Sequence, residues 1–124
     1  MTTPVNITTN AESGLPYSVN SSGAANQDSA LIQAGQTWVR GLALFNTTAT
    51  ARYVKLYNKA TAPVSTDTPA YRIYVPPTGQ VAPPLPEDVV FPLGLGIRIT
   101  TGAADSDTGA CSANDVLANV NYGS

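Results

Sequence analysis

The sequence predicts an all-β fold, a single β-sandwich of roughly seven to eight antiparallel strands with an extended N-terminal arm. Three observations carry this expectation. Charged residues make up 11% of the 124 positions, well under the quarter usual in globular chains, and a helical bundle would need far more Glu, Lys, Arg and Leu. Gly and Pro each occur 10 times, punctuating the chain with turns. Between those turns, short apolar runs alternate with a period of two, as strands do and helices do not.

Residues 1–27 form the arm. Thr, Ser, Asn, Gly and Ala dominate it, and Val5, Ile7, Leu15, Tyr17 and Val19 stand isolated among them, too few to build a core alone. Such a segment is expected to lie on a surface, either that of its own domain or that of a neighbouring subunit. The domain proper, residues 28–124, opens with the apolar run Ala30, Leu31 and Ile32, stopped by Gly35. Residues 36–46 are the longest strand candidate. Strict alternation puts Trp38, Leu42 and Leu44 on one face with Arg40, and Val39, Ala43 and Phe45 on the other, which predicts a central strand covered on both sides. Trp38 is read as the plug between two sheets, with an interfacial Trp38–Arg40 stack as the other reading. After the turn Asn46-Thr-Thr-Ala-Thr, residues 51–58 alternate Val54 and Leu56 against Tyr53, Lys55 and Tyr57. The short connection predicts that these two strands form an antiparallel hairpin.

Residues 59–69 read as loop, and 70–75 as a strand with Tyr71, Ile73 and Val75 opposite Arg72 and Tyr74. Pro76-Pro77-Thr78-Gly79 is a strong stop. Residues 81–86, with Pro83, Pro84 and Pro86, are expected to be extended and unpaired. A short strand at 88–91 ends at Pro92; Gly94 and Gly96 flank a link, and Ile97 and Ile99 alternate with Arg98 and Thr100. Residues 102–114 form a polar loop, and the run 115–122 closes the domain with Val116, Ala118, Val120 and Tyr122 on one face. Pro beside several strands places those strands at sheet edges.

Composition excludes several functions. The net charge of −2 leaves no electrostatic footprint for nucleic acid or an anionic membrane. With no His and one Cys, the commonest general base and the usual zinc ligands are missing, and no intrachain disulfide can form. No apolar stretch approaches the roughly 20 residues of a membrane-spanning helix. The opening Met-Thr-Thr-Pro-Val-Asn carries neither the basic nor the apolar region of a signal peptide. Asp105-Ser-Asp-Thr-Gly109 begins like a calcium loop, but Val116 stands where the closing Glu should be, so a turn held by Asx hydrogen bonds is expected instead. Glu87 and Asp88 are adjacent and would point to opposite faces of a strand, and Asp105 and Asp107 share a small loop. No carboxylate pair fits glycosidase chemistry. The chain is read as non-enzymatic and independent of metals and cofactors. The Asn6, Asn20 and Asn46 sequons are chance matches in an Asn- and Thr-rich chain. Cys111 is read as inert, with pairing between subunits as the alternative. The tyrosines at 53, 57, 71 and 74 lie on neighbouring strands, where they either cover a sheet face or meet a partner. The candidate partner contacts are Val5, Ile7, Leu15 and Tyr17 in the arm, Tyr53, Tyr57 and Tyr74 on the strands, and Pro83 and Pro84 in the Pro-rich run.

The segment from Tyr53-Val-Lys-Leu-Tyr-Asn-Lys-Ala-Thr-Ala-Pro through Thr68-Pro resembles a recurring stretch in small structural proteins of tailed bacteriophages and prophages. So do Gly94-Leu-Gly-Ile-Arg-Ile-Thr-Thr-Gly-Ala-Ala-Asp-Ser-Asp-Thr, Ala113-Asn-Asp-Val, the closing Asn121-Tyr and the upstream Trp38-Val-Arg. The resemblance spans residues 36–123; the Pro-rich run 75–86 and the Gly94–Gly96 link depart from the family pattern. It implies a β-sandwich of the virion that decorates the capsid shell as a cement protein, oligomerises and binds the major capsid protein or other virion proteins, after synthesis in the bacterial cytoplasm. A neck, tail or baseplate component is the nearest alternative, and a receptor- or carbohydrate-binding module is the alternative from another class. The resemblance carries over no catalytic residue.

Overall fold

A computed structural model describes residues 15–20, 29–82 and 89–123. Nine strands occur among them: β1 (Leu15–Asn20), β2 (Ser29–Ala34), β3 (Thr37–Asn46), β4 (Arg52–Asn58), β5 (Tyr71–Val75), β6 (Gly79–Val81), β7 (Val89–Phe91), β8 (Gly94–Thr100) and β9 (Val116–Gly123). They form two antiparallel sheets. The first runs β1-β9-β3-β6, with β7 also on β3, and the second runs β2-β8-β4-β5. Val39, Leu42, Leu44, Phe91, Val116, Ala118 and Val120 of the first sheet pack against Ile32, Val54, Leu56, Ile73, Val75, Leu95, Ile97 and Ile99 of the second. The architecture is a β-sandwich.

The expected hairpin of β3 and β4 does not form. The two strands belong to different sheets, and the short connection is an arch from one sheet to the other. Asn46 explains the difference. Its side chain is fully buried and donates from Nδ2 to the carbonyls of Thr50 (2.8 Å) and Val75 (3.2 Å). Its Oδ1 accepts from the backbone N–H and hydroxyl of Thr48. One amide thus satisfies the polar groups of a turn that crosses the core, where an unpaired group would be costly. Strand β4 instead pairs with β5 and β8.

Strand β3 also corrects the face assignment. Its pairing with β9 shifts register between Val39 and Gly41, leaving Arg40 as the extra residue of a β-bulge. A bulge inserts one residue and reverses the alternation beyond it. Val39, Leu42 and Leu44 therefore all face the core. Trp38 is half-buried outside the core, on the outer face with Ala43 and Phe45, and is not the inter-sheet plug. A second bulge frees Ile32 from the β2–β8 ladder and seats it in the core.

Three expectations on connections also change. Val81 is not unpaired: Gly79–Val81 forms β6 against Leu44–Asn46, because the turn before it is pinned by the Thr78 N–H on the Thr48 carbonyl. Residues 94–96 are not a link but the start of β8, where Gly94 pairs with Ala34 and Gly96 with Leu31 and Tyr57. Part of the arm, β1, pairs residue for residue with β9, from Leu15↔Tyr122 to Asn20↔Leu117. Val5, Ile7, Pro83 and Pro84 lie outside the described residues.

Candidate functional site

The outer faces of the two sheets differ in kind. On the second sheet, β8 carries Gly94, Gly96, Arg98 and Thr100 outward, yet all are buried, because two loops lie over them. In the first loop, residues 59–70, Pro63 rests on Gly96. A methyl group there would come within 2.8 Å of Pro63 Cδ, so the close approach requires glycine. Ser29 Oγ donates to the Pro63 carbonyl at 2.7 Å. Asp67 folds the loop on itself, accepting from Lys59 Nζ at 2.5 Å and from the Val64 N–H, and these bonds hold its carboxyl below the usual carboxylate range.

The second loop, residues 101–109, covers a polar layer. Lys55 and Arg98 are 1% and 2% exposed, and the loop's own backbone satisfies them. Lys55 Nζ donates to Thr100 Oγ1 (3.0 Å), to the Ala104 carbonyl (2.6 Å) and, more weakly, to the Gly102 carbonyl (3.5 Å). Arg98 donates to the Asp107 carbonyl (2.6 Å), the Asp105 carbonyl (3.2 Å) and the Tyr57 hydroxyl (3.4 Å). Burial pushes the Lys55 ammonium below its ordinary value, and the positive charge of Arg98 adds to that, against the opposing carboxylates of Asp107 and Asp105. Those carboxylates are committed. Asp107 Oδ1 accepts from the amides of Gly102 and Gly109, an Asx-type staple of the loop. Asp105 takes a bidentate bond from Arg72 at 2.6 and 2.7 Å, which lowers its pKa and raises that of Arg72.

Beside this capped layer lies a cleft of about 220 Å³, lined by Tyr53, Lys55, Arg72, Ile73, Tyr74 and Ala103. The pleat builds it. Tyr53 stands opposite Tyr74, and Lys55 opposite Arg72, in the β4–β5 ladder, so four outward side chains form a two-by-two patch with Ala103 of the loop as its wall. The two tyrosine rings are 5.6 Å apart and inclined at 56°, a tilted aromatic pair. Tyr74 is 56% exposed.

Among the described residues, no loop covers the outer face of the first sheet. Along β3 the outward positions are Trp38, Gly41, Ala43 and Phe45. Val90 of β7 pairs with Trp38, and Leu117 of β9 with Phe45. Phe45 and Val90 are exposed, while Trp38 and Leu117 are half-buried. Between the two apolar ends lie Gly41 opposite Asn121 and Ala43 opposite Asn119, so small and neutral side chains form the middle.

Of the candidate contacts, Tyr53 and Tyr74 meet at the cleft. Tyr57 does not reach the surface: it is 1% exposed beneath the second loop against Arg98, and it cannot meet a partner. Leu15 and Tyr17 lie in β1, opposite Tyr122 and Val120 of β9. Cys111 is not on the polar surface either; it is buried in the core, which removes it from pairing between subunits. The sequence reading did not single out Lys55, Arg72, Arg98 or Ala103. The available signal was charge on strands whose other face is apolar, in a chain with six cations.

The fold and these surfaces define an all-β sandwich with one face closed by loops and one face that no described loop covers. No family model, no curated protein and no solved structure matches the chain. Among the described residues, no helix is long and apolar enough to cross a membrane.

Proposed function

We propose that the chain is a non-enzymatic structural protein of a bacteriophage virion, a decoration protein that binds the shell of the major capsid protein. The observation that carries this reading is the outer face of the first sheet, which no described loop covers and whose two ends are apolar, Trp38 with the exposed Val90 and Leu117 with the exposed Phe45. Exposed apolar surface on a rigid scaffold is the usual mark of an interface. Positive charge offers little competing recognition. Five of the six cations are engaged inside the fold: Arg52 with Asp115, Lys59 with Asp67, Arg72 with Asp105, and Lys55 and Arg98 with loop carbonyls. Repetition on a shell lets modest contacts add up, so avidity replaces single-site affinity. The resemblance read in residues 36–123 is what suggests the capsid shell as the partner.

The test is copy number and retention on particles made by the genome that encodes the chain. A fixed small-integer ratio to the major capsid protein on quantitative gels supports decoration, whereas a few copies per particle would move the protein to the neck, tail or baseplate. Phe45→Asp and Val90→Asp should abolish co-sedimentation while leaving the melting temperature near that of the parent. Full retention of both variants would overturn the assignment of the docking face.

A further inference from the structure

We propose that the cleft between Tyr53, Tyr74, Arg72 and Ala103 is a binding site for one sugar ring of a glycan, separate from the shell-binding face and on the opposite sheet. A sugar ring has two chemical faces: a patch of C–H groups that packs on an aromatic ring, and a rim of hydroxyls that needs hydrogen-bond partners. The cleft presents both complements. Tyr74 is 56% exposed and tilted against Tyr53 at 5.6 Å, so its ring offers an apolar platform held in place by its neighbour. Tyrosine provides such area at low entropic cost.

The donors are equally specific. The bidentate clasp of Arg72 uses Nε and Nη2 on the Asp105 carboxylate and leaves the Nη1 hydrogens directed away from that carboxylate. Asp105 balances the charge of Arg72, so the pair as a whole is neutral while the guanidinium still offers N–H donors. The Lys55 ammonium, although it lines the cleft, has its three donors directed at Thr100, Gly102 and Ala104. The site therefore suits hydroxyl oxygens better than a carboxylate or phosphate. A volume of about 220 Å³ is below the 300 Å³ or more of ordinary ligand pockets, which fits a single ring with the rest of a chain in solvent. Ala103 keeps the wall low, and the loop that carries it is anchored by the Arg72–Asp105 clasp and the Asp107 staple, so the platform exists before a ligand arrives.

The experiment is saturation-transfer NMR on the full chain with the methyl glycosides of glucose, galactose and mannose, with N-acetylglucosamine and with glucuronate. Transfer to the ring C–H protons of at least one neutral sugar is expected, together with amide shifts confined to residues 53–55, 72–74 and 103. Tyr74→Ala should weaken that binding about tenfold, the size of an aromatic stacking contribution, and Tyr74→Phe should retain it. Phe45→Asp, on the other sheet, should leave it unchanged. Absence of transfer from all the neutral sugars, binding of glucuronate alone, or amide shifts elsewhere would each overturn the proposal. The amide shifts are read on the parent protein, so the result stands even if Tyr74→Ala fails to fold. Particle retention is a separate measurement, so either reading can fail without the other.

Discussion

Replacing Lys55 by Met tests the polar layer beneath residues 101–109. The substitution keeps an unbranched stem of similar length and deletes the ammonium. Two short bonds vanish, to Thr100 Oγ1 at 3.0 Å and to the Ala104 carbonyl at 2.6 Å. Hydrogen bonds from a charged donor contribute about 1.5–3 kcal/mol each, so the gross loss is about 3–6 kcal/mol. Against it stands relief from burying a charge, which is real here because burial lowers the Lys55 pKa and because apolar replacements of buried ions are often tolerated. The net expectation is a destabilisation of about 2–4 kcal/mol, since the Ala104 carbonyl loses its charged donor. For a domain of this size that corresponds to a fall in melting temperature of about 6–15 °C. The pH dependence gives an independent sign. A base whose folded-state pKa lies below its unfolded value of 10.5 leaves the unfolded chain holding more protons between the two values. Its contribution to stability therefore rises as pH climbs through that window toward 10.5, and Lys55→Met should remove this rise. Urea denaturation from pH 7 to 11, with hydrogen exchange on residues 101–110, measures both. An unchanged or raised melting temperature, or exchange in the loop equal to the parent's, would refute the view that Lys55 holds the loop down.

Gly96→Ala would place a methyl group 2.8 Å from Pro63 Cδ, and overpacking of this kind costs about 1–3 kcal/mol; limited proteolysis should then cut residues 59–70 faster than in the parent. Asp105→Asn should lower stability at pH 7 only slightly, because the Arg72–Asp105 pair is solvent-exposed and such pairs contribute little. It should flatten the acid limb, since a carboxylate with a lowered pKa contributes stability above its unfolded value of 3.8 and loses it as pH falls through the folded one; urea midpoints between pH 2 and 5 read this. Cys111, 2% exposed in the core, should react with an aromatic disulfide reagent only on unfolding, so stoichiometric labelling of the native protein within minutes would contradict its burial. Retention on particles should hold or tighten between 0.15 and about 1 M salt, where the Debye length falls from about 8 to 3 Å; steady loss with salt would assign the docking to charge, with the exposed Arg40 as the first residue to examine.

The strand positions were legible because the core-facing half of the pattern is largely apolar. Val54 and Leu56, Ile73 and Val75, and Val116, Ala118 and Val120 all fall where period-two alternation puts them. What the sequence left hidden was pairing and phase. Alternation says that residues 36–46 and 51–58 are strands, but nothing local distinguishes a hairpin from an arch; the buried Asn46 side chain, bonded across the core to Val75, makes that choice and reads in sequence as an ordinary turn residue. Phase failed at Arg40, where one extra residue moves Trp38 out of the core and Val39 in. The cleft was half legible: Tyr53 and Tyr74 were visible as outward tyrosines, but their meeting depends on the β4–β5 register and on a loop 25 residues or more away in sequence. The burial of Tyr57 has the same origin, because an outward position on a strand is exposed only if no loop returns over it.

That last point bears on how the two faces acquired different character. Outward positions of the second sheet carry Lys55, Arg98 and Thr100, groups that cannot stay buried without partners. The returning loop supplies them through its carbonyls, and the Arg72–Asp105 clasp and the Asp107 staple fix the loop in place. Outward positions of the first sheet carry Trp38, Ala43, Phe45, Val90 and Leu117, which ask nothing of a covering loop except area. The bulge at Arg40 is decisive there. Without the extra residue, continuous alternation from Leu42 and Leu44 would carry both Trp38 and Arg40 into the core and turn Val39 outward. One inserted residue thus seats Val39 in the core and places the chain's single tryptophan beside the exposed Val90, at one end of the face proposed to dock on the shell. The bulge therefore sets which side chains the proposed docking face presents at that end.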